Sequence, residues 1–244
     1  MALAVSKGVV PRAQKVVVYG TEGIGKTTFA SRFPDPLFID TEGGTDHLDV
    51  ARTERPGSWE ALMAQVRAVR SERPCGTLVV DTLDWAERLC TAHLMAKNGW
   101  ASVETPGYGK GYTALAEEFG RLLDALSDVA EAGVNVVCTA HADVRKFERP
   151  DEEASYDRWE LKLQKKVAPM VKEWADALLF VDFKTIVEKA DAGMGRQKGK
   201  ARGGKLRVMR ADHAASWDAK NRWGLPDELP FDFERIDRDR KSVV

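Results

Sequence analysis

Residues 20–27, GTEGIGKT, constrain this chain more than any other stretch. Glycines at positions 20, 23 and 25 let the backbone turn so that successive N–H groups point inward, forming a concave cradle for phosphate oxygens. Such a cradle needs a strand to enter it and a helix to leave it. Both flanks comply. Residues 15–19 (KVVVY) form a short β-branched apolar run, and residues 26–33 read as a helix stopped by Pro34 and Pro36. Gly20, Thr21, Glu22, Gly23, Ile24 and Gly25 supply the backbone of the loop. Lys26 places a point charge on the β- and γ-phosphates, Thr27 offers a hydroxyl to Mg2+, and Thr28 follows in the helix. ATP with magnesium is the expected ligand, since no N-K-x-D guanine motif appears in the chain.

The rest of the chain alternates between two periodicities. Residues 37–40 (LFID), 77–81 (TLVVD), 134–139 (VNVVCT) and 177–183 (ALLFVDF) are nearly continuous apolar runs, as strands buried on both faces require. Helical spacing appears over 59–72 behind Ser58 as N-cap, over 85–96, over 112–131 with Gly133 closing it, and around 161–174. This order predicts an α/β fold with a mostly parallel twisted sheet flanked by helices. Residues 98–110 (NGWASVETPGYGK) read as a mobile loop and 141–156 as a polar connection. Residues 185–189 and 205–210 read as the two strands of a C-terminal basic β-hairpin spanning about 184–210. One domain over 14–230 is expected, between a flexible leader (1–13) and a flexible tail (231–244).

A magnesium ion on Thr27 needs a carboxylate at the end of another buried strand. Asp81 supplies it after TLVV; Asp84, one helical turn further on and expected to be exposed, is the alternative. Attack of water on a γ-phosphate needs a base or an orienting group. Glu42, in the glycine-flexible turn of FIDTEGG, is the candidate, and Asp40 either competes with it or anchors the turn.

The succession of strand, GTEGIGKT, helix, FIDTEGG and LVVDT resembles the ATPase core of RecA-type recombinases. The likeness extends to phage nucleotide-binding proteins of the AAA type, including the RecA-core single-strand annealing group (the Sak-four proteins). Residues 218–226, DAKNRWGLP, are similar to the closing element of that group. The resemblance covers roughly residues 14–230. It implies that Glu42 polarises the attacking water and that His141, ending the fourth strand in CTAH, senses the γ-phosphate. It also implies that Lys220 and Arg222 act as fingers on a neighbouring subunit's nucleotide, Arg222 thereby joining the catalytic set. A homo-oligomer, ring or filament, and a single-strand-binding protein are the protein partners it suggests.

Net charge is −1, so attraction to nucleic acid has to come from a local patch. Residues 196–210 (RQKGKARGGKLRVMR) hold seven basic residues and no acidic one. Arg196, Lys198, Lys200, Arg202, Lys205 and Arg207 are therefore the candidate contacts to single-stranded DNA. Trp100 and Tyr108 are candidates for base stacking. RecA-like proteins place DNA-contacting loops where residues 98–110 and 143–156 fall. The expected function is an ATP-hydrolysing protein that binds single-stranded DNA and assists phage recombination, annealing or replication. Two other readings use the same residues: a P-loop small-molecule kinase, and a nucleotide-gated DNA-binding protein without significant hydrolysis. Cys75, Cys90 and Cys138 have no metal-ligand spacing and no apolar run is long enough to span a bilayer, so a cytoplasmic location is expected (the host cytoplasm for a phage protein) with no membrane partner.

Overall fold

In the computed structural model the described residues are 3, 5, 7, 8, 10–148, 155–191 and 197–234, with backbone alone for 185–191, 197–203 and 205. The first apolar run is strand β1 (Lys15–Gly20), and the phosphate-type loop after it leads into a short helix, α1 (Lys26–Ala30). Next come β2 (Pro36–Asp40), a two-residue β3 (Ala51–Arg52), α2 (Trp59–Glu72) and β4 (Thr77–Asp81). Two long helices, α3 (Leu83–Asn98) and α4 (Lys110–Glu131), precede β5 (Asn135–Phe147), β6 (Tyr156–Leu161) and α5 (Val167–Trp174). The chain then enters β7 (Ala177–Asp191), β8 (Gln197–Arg210), β9 (Lys220–Asn221) and β10 (Glu228–Pro230).

Strands β7-β1-β5-β4-β2-β3 pair in that order and all run parallel. β8 extends the sheet antiparallel to β7, and β10 lies antiparallel to β8 at the edge. Side chains of a strand alternate between faces, and here the alternation sorts two cores. Val17, Tyr19, Leu78, Val80, Val136, Cys138, Leu178 and Phe180 pack with helices α2 to α5. Val16, Val18, Val79, Val137, Leu179 and Val181 pack with α1 and with Trp223, Leu225 and Leu229 of the C-terminal segment. The mixed α/β architecture with a mostly parallel sheet matches the expectation from the apolar runs. Ser58 caps α2 by accepting the Ala61 N–H at 3.2 Å, and Gly133, at φ 93°, follows α4.

The separate strands read at 177–183 and 185–189 are one strand, β7, the short strands β3, β9 and β10 were not expected, and two further elements differ from the sequence reading. β5 does not stop where its apolar run stops: it runs on through the polar residues to Phe147 and folds back as an antiparallel ribbon with β6. Consequently residue 161 ends a strand, and the helix expected around 161–174 starts only at Val167. Cross-strand pairs hold the ribbon, with Val144 opposite Trp159 and the Phe147 and Tyr156 rings 5.6 Å apart. The second difference is the start of the tail. Phe231 stacks on Phe29 of α1 at 4.7 Å, and Phe233 lies 4.7 Å from Phe33, so 231–234 are packed chain. Residues 235–244 lie outside the described ones.

Candidate nucleotide site

The C-terminal ends of β1, β2 and β4 converge on one spot with His141 in the middle of β5, because parallel strands in register bring these residues side by side. Gly20 pairs with His141 on one flank and Val181 on the other, and Asp40 pairs with Asp81. Gly20 leaves no room for a side chain, since a Cβ there would run into the Val181 carbonyl. Gly25 is required for another reason: its φ of 101° lies in the left-handed region just before α1 begins. Lys26 is buried, and its Nζ donates to the carbonyls of Gly20 at 3.1 Å and Thr21 at 2.9 Å, folding the amine across the loop. Burial lowers the proton affinity of that amine, while Asp81, Asp84, Glu42 and Glu22 nearby partly offset it. Glu22 is exposed and faces Lys162 at 3.8 Å, and Thr28 is exposed on α1.

The carboxylates around this loop divide by their donors. Asp40 accepts the N–H groups of Glu42 (3.1 Å), Gly43 (2.6 Å), Gly44 (3.3 Å) and Thr45 (2.9 Å) and the Thr45 hydroxyl (2.7 Å). Burial pushes its pKa up, but the Thr45 hydroxyl and these N–H groups outweigh burial and hold it below the usual value. Asp40 is thus the anchor of the turn that carries Glu42. Glu42 itself is half-buried, with Oε2 4.0 Å from His141 Nε2. Burial raises its pKa, His141 opposes the shift, and Asp84 and Asp81 add to it. Asp81 accepts hydrogen bonds from the hydroxyls of Thr139 and Thr27; burial still lifts its pKa above the usual value. Thr27 and Asp81 therefore meet, and both present hard oxygen atoms, the donor set magnesium takes.

Asp84 departs from its expected exposure: it is 8 % exposed and holds His141 at two points. Its Oδ1 accepts the His141 backbone N–H at 3.0 Å, and its Oδ2 lies 2.9 Å from Nδ1. With Nδ1–H donated to Asp84, the other ring nitrogen is the one that faces Glu42. Asp84 sits one residue into α3, and helix starts are usually wet. Only the pairing of β4 with β5 reveals that His141 covers it. Arg55, unremarked in the sequence, wraps the same turn: its Nη2 donates to the Thr41 carbonyl at 3.2 Å.

The remaining predicted residues lie elsewhere. Lys198, Lys200, Arg202 and Lys205 are on β8 with their side chains undescribed, and Arg196 lies outside the described residues. Arg207 is the exception. Its Nη1 donates to the Ile24 carbonyl at 2.9 Å, so it rests on the phosphate-type loop. Lys220 and Arg222 sit at the opposite end of the sheet, where Asn221 pairs with Ala177 at the start of β7. There Lys220 Nζ donates to the carbonyls of Lys172 and Glu173, capping α5, and Arg222 bonds Asp176 at 3.2 Å. Of the two stacking candidates, Trp100 packs partly against the main core while Tyr108 is fully exposed. Cys90 and Cys138 are buried and Cys75 partly so, and all three are free thiols. Among the described residues no helix is long and apolar enough to cross a membrane, and no cluster of three or more His, Cys, Asp or Glu side chains could hold a metal.

A cavity of about 570 Å3 lies between α2, α3 and α4, but its charges answer one another. Arg121 pairs with Glu118 at 2.8 Å, His93 with Glu60 at 2.6 Å and Arg70 with Asp128 at 3.6 Å. Chemistry at the strand ends has the stronger claim, since parallel α/β sheets bind ligands outside the carboxyl ends of their strands.

A search of curated proteins finds no match to the chain. A family model does match: that of the AAA_24 family, an AAA domain, over residues 12–223. That stretch takes in the phosphate-type loop, Glu42, Asp81, Asp84 and His141. The chain accordingly belongs to this AAA-domain family of P-loop nucleotide-binding proteins.

Proposed function

We propose that the protein is a magnesium-dependent ATPase that binds single-stranded DNA and couples turnover to it, in phage-type recombination, annealing or replication. One observation carries the catalytic half. Glu42, with a raised affinity for protons, stands 4.0 Å from a His141 that Asp84 orients, at the strand ends where Lys26, Thr27 and Asp81 also meet. A carboxylate with raised pKa in that place suits the base for an attacking water. Glu42 takes the proton of the water as its oxygen bonds to the γ-phosphorus. The bond from that phosphorus to the β,γ-bridging oxygen breaks, releasing ADP and inorganic phosphate. Lys26 stabilises the charge on the transferring group. Thr27 and Asp81 would hold magnesium, which when bound neutralises charge across the β- and γ-phosphates.

The DNA half rests on the basic composition of residues 196–210 and on Tyr108, exposed at the end of its loop. Assembly into a ring or filament would bring Lys220 and Arg222 to a neighbour, away from the chain's own loop.

The test is ATP turnover with magnesium in the presence of single-stranded DNA, duplex DNA, RNA or no nucleic acid. Stimulation by single strands in the wild-type protein, lost in Glu42→Gln, is expected. Turnover appearing only with a small-molecule acceptor would replace this reading with a kinase, and wild-type turnover no faster than that of Glu42→Gln would leave only nucleotide binding.

A further inference from the structure

On the side of the loop away from Glu42 lies a second cleft, of about 550 Å3, whose walls include Gly25, Thr28, Arg32, Arg207, Phe231 and Asp232. Topology fixes its relation to the phosphates. The loop leaves β1, which has β5 on one side and β7 on the other. The base, the sensor and the magnesium carboxylate come from β2, β5 and β4, on the first side. A triphosphate lying along the loop therefore has its γ end toward β5. Its other end points toward β7 and β8, where Arg207 stands.

The walls of this cleft are held in place. Phe231 stacks on Phe29 with ring planes 22° apart, and its N–H donates to the Arg207 carbonyl at 3.2 Å. The Arg207 guanidinium lies 5.7 Å from the Phe231 ring and is tied by Nη1 to the Ile24 carbonyl. It approaches so closely that a Cβ on Gly25 would come within 2.5 Å of Nη1. An exposed, planar cation fixed at two points is a platform on which a heterocyclic base stacks. Arg32, just past the C-terminal end of α1, adds positive charge to the wall, and Asp232 offers acceptor oxygens.

We propose that this cleft receives the nucleoside end of the nucleotide. Arg207 stacks on the base, Arg32 lies toward the α-phosphate, and Asp232 accepts from a ribose hydroxyl or an exocyclic amine. The inference rests on the nucleotide-binding reading above and assigns Arg207, expected from the sequence to contact DNA, to nucleotide recognition instead. Its strand β8 also carries the basic segment, so one strand links the two.

Calorimetric titration with ATP and with inorganic tripolyphosphate, both with magnesium, separates the nucleoside subsite from the phosphate loop. Wild-type protein binds both ligands, and Lys26→Ala weakens both. Arg207→Ala is expected to weaken ATP by about tenfold or more while leaving tripolyphosphate unchanged. Arg207→Lys, which keeps the charge but not the plane, loses a large part of the same discrimination. Equal weakening of both ligands in Arg207→Ala would reduce Arg207 to a brace of the loop and overturn the subsite, as would no change in either. Failure of the wild-type protein to bind either ligand would instead remove the nucleotide reading itself.

Discussion

Asp81 and Asp218 are both buried carboxylates, 2 % and 8 % exposed, yet their surroundings are opposite in kind. Asp218 is bonded by Arg158 and Lys172, with His213 Nδ1 3.3 Å away, and its backbone N–H and C=O are both engaged by the Tyr19 hydroxyl. Asp176, at the far end of the sheet from the loop, is treated alike: Arg12 at 2.6 Å, Arg222 at 3.2 Å and the Lys15 N–H at 3.1 Å all converge on it. In both places cations match or outnumber carboxylates. At the strand ends the balance reverses. Asp81, Asp84 and Glu42 surround one lysine whose amine is bonded to two carbonyls, the His141 ring is the other basic group beside Asp84 and Glu42, and Asp40 is held by N–H groups and a hydroxyl. Asp81 is held only by hydroxyls, and burial raises its pKa. Carboxylates that hold a fold together find their counter-ions within the chain. The strand-end carboxylates outnumber the cations beside them among the described residues, which agrees with the proposed role of Thr27 and Asp81 in holding magnesium.

The sharpest way to break this contrast is to neutralise one member of each set. Asp81→Asn removes a charge from the crowded cluster, so Tm should stay level or rise, while ATP turnover falls by about a hundredfold to a thousandfold. Turnover near wild type would mean that Asp81 holds no metal and that the charge deficit has another purpose. Asp218→Ala is the mirror case. It strands Arg158, 6 % exposed, and Lys172, and removing one partner of a buried ion pair costs about 3–5 kcal/mol. Urea denaturation should register that loss, whereas turnover per folded molecule should be unchanged. A drop in turnover without a drop in stability would place Asp218 in the functional set.

These two sets are legible in the sequence only in part, for a physical reason. Residues 20–27, the capped start of α2 and the alternating strand cores are encoded locally, in turn chemistry and periodicity, and they were readable. Asp81 and Glu42 follow apolar strands closely, so their places at the sheet edge follow as well. Asp84 does not: its burial depends on His141, 57 residues away, coming alongside through the pairing of β4 and β5. The β5–β6 ribbon hides in the same way, because its strands are polar on one side and find their partners in each other and, through Trp159, in residues 216 and 217. Phe231 and Phe233 looked like loose tail because their partners, Phe29 and Phe33, lie about two hundred residues upstream on α1.

Glu87 belongs to neither set and tests the boundary between them. It lies on α3 one turn beyond Asp84, and its carboxyl accepts the Gln164 N–H at 2.9 Å and 3.1 Å. Burial raises its pKa from 4.5 to about 7, the N–H opposes the shift, Asp84 adds to it and Arg145 opposes it. Between pH 4.5 and about 7 the folded chain therefore holds a proton at this position that the unfolded chain has released. Stability falls as pH rises through that window, by up to about 3 kcal/mol for a shift of this size. Glu87→Gln keeps an acceptor for Gln164 but carries no charge. It should be more stable than wild type at pH 8, and the gap should close as pH falls to 4.5. Thermal denaturation across that range measures it. A gap independent of pH would assign the effect to packing, and a variant weaker than wild type at pH 8 would mean that the Glu87 carboxylate is paired like Asp218.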